Sequence, residues 1–216
     1  MRTIAVIARK GGSGKTTVAT HLALAAHLRG LKVLVADTDP QRSALEVFKA
    51  RTGPGPARID SSGPKLFALQ MAAVRDGFDA LVIDTAAGAV EDVANAIVLA
   101  DLSLLVVRPT FLDLAAAIHT VDMVRRLRKP VMVILNHAPP PRGGVEPPTV
   151  KRALQALAVM RLPVAPVILR ARAAYQTALE TGRSAEETDD PAAAQEAAAL
   201  WTFIEGFVFR RRAATV

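Results

Sequence analysis

Arg9-Lys10-Gly11-Gly12-Ser13-Gly14-Lys15-Thr16-Thr17 stands near the beginning of the 216-residue chain, and its reading decides the fold. An apolar run, Thr3 to Ala8, leads into it, and a helical pattern from Val18 to Arg29 follows, with Leu22, Ala25, Ala26 and Leu28 free to pack. Strand, glycine-rich turn and helix form the context in which G-x-x-x-x-G-K-[ST] denotes a phosphate loop. The first glycine of that pattern is replaced by Arg9, so the stretch reads K-G-G-x-G-K-T. Glycines let backbone N–H groups turn inward around phosphate oxygens, and the positive end of the helix dipole adds to the attraction. Lys15 is placed to meet β- and γ-phosphates, and the Thr16 hydroxyl to ligate Mg²⁺. The alternative is a strand–helix turn that binds nothing.

Lys10 is the informative departure. A lysine at this spacing resembles the deviant Walker A box of the ParA/MinD family of partitioning and positioning ATPases. Membership implies a nucleotide-sandwich dimer in which Lys10 reaches the partner's phosphates as a catalytic group beside Lys15. It implies ATP and Mg²⁺ as cofactors, with Gly11, Gly12, Ser13, Gly14, Lys15, Thr16 and Thr17 binding the nucleotide.

Later motifs extend the resemblance along most of the chain. Lys32 to Ala36 reads as a buried strand ending in Asp37-Thr38-Asp39-Pro40-Gln41. Two carboxylates at the carboxyl end of a strand sit where α/β proteins place ligands, and alternation puts them on one side. The stretch resembles the family's D-x-D-P-Q element, which implies Asp37 in the Mg²⁺ shell and Asp39 orienting the attacking water. A turn with a helix-capping aspartate is the competing reading, since Pro40 at a helix start is ordinary. Phe78 to Asp84 resembles Walker B, with Asp84 holding a Mg²⁺-bound water, and Thr85-Ala-Ala-Gly88 follows as a γ-phosphate-sensing switch. Many family members carry proline where this switch has none.

Leu102 to Val107 and Val131 to Leu135 are further buried strands. Asp113 reads as the cap of the helix that ends in Arg125, Arg126, Arg128 and Lys129, a basic end that suits the macrodipole. Asn136 closes its strand; the resemblance implies a hydrogen bond to adenine, and a turn residue is the plain alternative. Val164 to Leu169 reads as a last strand in which Pro166 marks an edge or an irregularity. Beyond it, Arg170, Arg172 and Arg183 resemble the family's non-specific DNA-binding residues, against the alternative of a solvated rim of arginines. Pro191, after the acidic run 186–190, marks a helix start. That terminal helix carries Leu200, Trp201, Ile204, Phe207 and Val208 on one face and ends at Arg210-Arg211-Arg212. Such a face either packs on the sheet or grips a membrane, as in MinD-like relatives. The segment 51–65, rich in Gly, Pro and Ser, reads as a loop. The four histidines show no ligand spacing.

Bulk properties agree with one folded domain over 1–216: hydrophobic content is 51%, enough for a sizeable core. There is no cysteine, which excludes disulfides, thiolate zinc sites and the iron–sulfur cluster of the superfamily's iron proteins. No apolar run approaches the roughly 18 residues of a membrane span. The opening strand runs straight into the loop, so a cleaved leader would remove the loop, and a cytoplasmic, nucleoid-associated protein is expected. Net charge is +7, with arginine outnumbering lysine, which points to an anionic partner surface, DNA or acidic lipid.

Strands alternating with helices predict an α/β single domain, a mostly parallel sheet with helices on both faces. The function expected is a ParA-like ATPase that dimerises with ATP, binds DNA non-specifically and is stimulated by a ParB-like partner protein. A MinD-like membrane-associated positioning ATPase is the alternative, and a metabolic enzyme on the same scaffold a third.

Overall fold

The apolar runs become strands because they are apolar throughout rather than alternating, the pattern of strands buried on both faces. The computed structural model describes residues 1–88 and 90–209. Strands β1 (Arg2–Ile7), β2 (Val33–Asp37), β3 (Ala57–Asp60), β4 (Ala80–Asp84), β5 (Leu102–Val107) and β6 (Val131–Leu135) form one six-stranded sheet. Its order is β3-β2-β4-β1-β5-β6 and the pairings are parallel. β1 is central, with β4 on one side and β5 on the other. The chain therefore switches direction across the sheet beside β1, where open α/β sheets form their ligand crevice.

Helices α1 (Lys15–Leu28), α2 (Ser43–Ala50), α7 (Ala173–Glu180) and α8 (Pro191–Val208) cover one face. Helices α3 (Leu66–Arg75), α4 (Val90–Leu99), α5 (Phe111–Leu127) and α6 (Pro148–Val159) cover the other. The expected mostly parallel, two-faced architecture is observed.

Two segments differ from the sequence reading. The loop assigned to 51–65 contains β3, four exposed residues at the sheet edge. Its Gly and Pro neighbours hid a strand that is held by pairing with β2 rather than by burial. The charged Arg58 and Asp60 blunt that edge, and Asp60 pairs with Arg42 at 2.7 Å. Conversely, Val164 to Leu169 forms no regular strand. It runs beside β6 through bridges at Val133–Val164 and Ala138–Arg170. Pro163 and Pro166 have no N–H to donate, so the ladder is interrupted.

The terminal helix starts as expected: Pro191 occupies the first turn and Asp190 accepts from the Ala192 and Ala193 amides. Leu200, Trp201, Ile204 and Val208 are buried in the core against the sheet, with Ala193 and Ala197. In this structure that apolar face packs against the sheet. Arg210, Arg211 and Arg212 lie outside the described residues.

His21, without ligand spacing in the sequence, is a core group. Its Nδ1 accepts the Ala185 amide at 3.1 Å and its Nε2 faces the Tyr175 carbonyl at 3.4 Å. The ring is therefore neutral with the proton on Nε2, and burial pushes its pKa down to about 4. A second proton on Nδ1 would oppose the Ala185 N–H. The unfolded chain takes up this proton near pH 6.5 and the folded one only near 4, so stability is full above about 6.5 and falls as pH drops towards 4. The loss is at most about 3 kcal/mol. Urea unfolding at pH 7 and pH 5 should show a smaller drop for His21→Gln than for wild type; equal drops would contradict the buried neutral ring.

Candidate functional site

The loop between β1 and α1 emerges at the centre of the sheet's carboxyl edge, between the ends of β4 and β5, with the end of β2 next beyond β4. β4 and β2 carry the aspartates. Asp84 and Asp37 end those strands in register with each other. Gly12 and Gly14 have φ of 73° and 91°, the left-handed region that lets the chain turn tightly at the loop. Gly14 directly precedes α1, whose first turn carries no acidic residue to compete for an anion. Ser13 Oγ is buried without a hydrogen-bond partner.

Asn136 stands against this loop. Its Nδ2 donates to the Ser13 carbonyl at 2.8 Å. A methyl group at Gly14 would lie 2.1 Å from that same nitrogen. Beside the adenine contact that the family resemblance implies, Asn136 clamps the loop to the end of β6.

The acidic residues divide by what they touch. Asp84 is buried, and neither carboxylate oxygen has a hydrogen-bond partner. Burial pushes its pKa up to about 7; the nearby Thr16 hydroxyl and Lys15 pull the other way without closing a bond to it. Lys15, also buried, has its pKa lowered by burial, against the attraction of Asp84 and Asp39. Asp37 is occupied: its Oδ1 accepts the Asp39 amide at 3.0 Å and its Oδ2 the Leu45 amide at 3.2 Å. It thus performs the capping role weighed for it, at the start of α2, and burial raises its pKa. Asp39 is half-buried and accepts the Gln41 amide at 2.9 Å.

An unpartnered buried carboxylate costs several kcal/mol unless a cation joins it or a proton neutralises it. Asp84, with the Thr16 hydroxyl beside it, therefore fits the shell of a hard, oxygen-seeking ion such as Mg²⁺. Among the described residues no group of three or more His, Cys, Asp or Glu side chains could hold a metal. A cation here would take its remaining ligands from water and phosphate oxygens, as Mg²⁺ does at nucleotide sites.

On the β5 side, Thr110, not Asp113, caps α5: its Oγ1 accepts the Asp113 amide. This corrects the capping assignment. Asp113 is buried and gathers Lys10 Nζ at 3.1 Å, Arg108 Nε and Nη2 at 3.0 and 3.1 Å, and the Thr110 hydroxyl at 2.6 Å. Burial pushes its pKa up, but the bonds from Arg108, Thr110 and Lys10 outweigh this and hold it near 2. Lys10 is thus tied to α5 and remains 36% exposed.

The arginines expected to meet DNA separate. Arg170 is enclosed by Glu146 and the Pro139 carbonyl. Arg172 is bound to Glu196, which also accepts from Tyr175. Their ion pairs tie the 138–148 loop and α8 to the segment after β6, which corrects the picture of a free arginine rim. Arg183 is exposed. The Glu146 and Glu196 partners lie 24 residues from their arginines, beyond any local sequence signal.

Residues 4–184 match the family model described as the CobQ/CobB/MinD/ParA nucleotide binding domain. The maintenance of carboxysome distribution protein A of Halothiobacillus neapolitanus is 28% identical over 195 residues, covering 84% of this chain and 85% of that protein. The first curated relatives are matched over short stretches. The putative replication protein A of Rhizobium rhizogenes is 50% identical over 48 residues, 22% of this chain and 12% of that protein. Among solved structures, the cell division ATPase MinD of Pyrococcus furiosus superposes with a TM-score of 0.76 at 22% identity, covering 95% of this chain and 99% of that one.

Asn136→Ala should lower stability by about 1–3 kcal/mol in the absence of any nucleotide, since the buried Ser13 carbonyl loses its donor. Denaturant unfolding of the nucleotide-free protein measures this. An unchanged midpoint would return Asn136 to a role in base recognition alone.

Proposed function

The chain belongs to the CobQ/CobB/MinD/ParA nucleotide-binding family, and we propose that it is an ATP-driven positioning switch of the ParA type. In this reading Mg·ATP occupies the 11–17 loop, with Lys15 on the phosphates and Thr16 and Asp84 holding Mg²⁺. Asp37 stays in the outer shell, where its two backbone bonds fix the β2 end and so the placement of Asp39. Asp39 orients the water that attacks the γ-phosphate. Mg²⁺ neutralises phosphate charge when bound; the chain's own work is to bind, orient and exclude competing water.

The observation that carries the reading is where Lys10 lies. Its ammonium is bound to α5 outside its own phosphate loop and is half-exposed at the rim. A lysine so placed is available to a second subunit facing the loop. Its charge would then act as arginine fingers do, for which about 10³–10⁵ in rate is typical.

The ATP dimer would bring two basic surfaces together and hold DNA without reading its sequence. With Arg170 and Arg172 engaged in ion pairs, Arg183 is the strongest of the three contact candidates. A partner protein would stimulate hydrolysis and release the dimer, moving a cargo. The similarity to carboxysome-distribution proteins makes a protein assembly a natural cargo beside a plasmid or chromosome region. The setting proposed is the cytoplasm, on the nucleoid.

Gel-shift assays with non-specific duplex DNA and the hydrolysis-blocked Asp39→Ala variant test this. Binding is expected with ATP and not with ADP, with a slope of log K against log salt of about −0.9 per phosphate neutralised. Lys10→Ala should abolish ATP-dependent dimerisation measured by light scattering. A Lys10→Ala protein that dimerises normally would refute the action of Lys10 across the dimer.

A further inference from the structure

Arg108 follows the last residue of β5 and precedes Pro109, which restricts its backbone to extended conformations. Its guanidinium is therefore delivered from a rigid point. One edge, Nε and Nη2, is bound to the two oxygens of Asp113. Nη1 takes no part in those bonds and turns towards the phosphate loop: a methyl group at Gly12 would stand 3.9 Å from it. On the loop's other flank, His137 Cδ2 would be 3.4 Å from a methyl group at Gly14. Burial and the charge of Arg108 both lower the pKa of His137, which places that charge within reach of the same rim. The free edge of Arg108 thus lies beside Gly12 of the loop.

Charge is unbalanced around Asp113. One carboxylate faces two cations, Lys10 and Arg108, leaving one excess positive charge at the mouth of a loop built for anions. Neutralising a buried carboxylate does not require both. Asp113 also holds the Thr110 hydroxyl and the positive end of α5.

We propose that Arg108 is a phosphate-contacting residue of its own subunit, its Nη1 edge meeting phosphoryl oxygens of the nucleotide in the loop, with Asp113 as its positioning residue. The proposal rests on the nucleotide reading above and adds to it a cation acting in cis, distinct from Lys10 acting on the partner. A guanidinium suits this double contact, because its planar fork grips Asp113 with one edge while offering the other to phosphate, and it stays charged at any working pH. An ammonium in its place is a point charge and cannot serve both partners along fixed directions.

The test is equilibrium titration with mant-ADP and mant-ATP in the presence of Mg²⁺, in a Lys10→Ala background so that a single subunit is read. Lys15→Ala serves to locate binding at the loop. Arg108→Ala is expected to raise Kd about tenfold or more for at least one of the two nucleotides, the scale of a charge-assisted hydrogen bond. Arg108→Lys should recover only part of this. Asp113→Asn should weaken binding too, and its effect should vanish when Arg108 is already alanine, a non-additivity that a general loosening of the fold would not produce. Unchanged Kd values for both nucleotides in Arg108→Ala with native far-UV circular dichroism would overturn the proposal. So would full recovery by Arg108→Lys, which remains informative should the alanine variant not fold. If the parent protein binds neither nucleotide, or Lys15→Ala binds as tightly as the parent, the nucleotide reading itself fails and the proposal with it.

Discussion

Between Gly14 and Asn136 there is no room for a methyl group, and the rest of the site depends on that closeness. The Asn136 amide reaches the Ser13 carbonyl only because the loop passes against the end of β6 without a side chain at Gly14. The left-handed backbone at Gly14 then delivers the chain into α1 with its first N–H groups unspent. A phosphate loop is often described as a local motif, a strand and a helix joined by glycines. Here it is also a long-range contact across 123 residues, so the loop's geometry exists only once β6 has joined the sheet beside β5.

Around that loop the charges are arranged by burial as much as by pairing. Asp84 and Lys15 are both buried and each disfavours its own ionised form, while each favours ionisation of the other. Burial also disfavours ionised Asp37, but its two backbone amide bonds oppose this. Asp39 is half-buried and accepts the Gln41 amide. Only Asp84 of the three keeps both oxygens without a partner, and that sets it apart as the candidate cation site. Asp84 ends β4, between β1 and β2 in the sheet, and its neighbours there are the Thr16 hydroxyl and Lys15 at the start of α1.

The parts of the fold that were legible in the sequence are those where one physical signal dominates. Apolar runs gave central strands because burial on both faces leaves no polar position. Pro191 after Asp190 marked a helix start because proline and a capping carboxylate act locally. The edge strand β3 was hidden because an edge needs neither burial nor apolar residues, and glycine and proline bracket it. The site divides the same way. Lys15, Thr16 and Asp84 belong to stretches whose spacing carries meaning. Asp113, Arg108 and the clamp by Asn136 depend on which strand ends lie side by side, and the strand order is not written in any window of sequence. Arg170 and Arg172 were read as DNA-contact candidates or as a solvated rim for the same reason: their carboxylate partners come from the 138–148 loop and from α8. Composition reports that arginines are present and leaves open which of them the fold has already spent.

Asp113 shows how such a fold can share one buried carboxylate between two cations of unequal importance. A buried carboxylate that loses its sole partner is costly, often about 3–5 kcal/mol. Asp113 has three partners, and they are unequal. Arg108 contributes two bonds from a guanidinium that is anchored at a strand end, and Thr110 a third from the turn that caps α5. Lys10 contributes one, from a flexible and half-exposed side chain. If Lys10 leaves, each oxygen of Asp113 still accepts at least one hydrogen bond, and a full positive charge still faces it. The lysine can therefore move for little more than the strength of one partly solvated hydrogen bond, about 1.5–3 kcal/mol. Arg108 could not leave on the same terms, because its loss would strip Asp113 of its only bidentate partner. The unequal sharing of one carboxylate thus divides the two cations: Asp113 tolerates the loss of Lys10 and depends on Arg108.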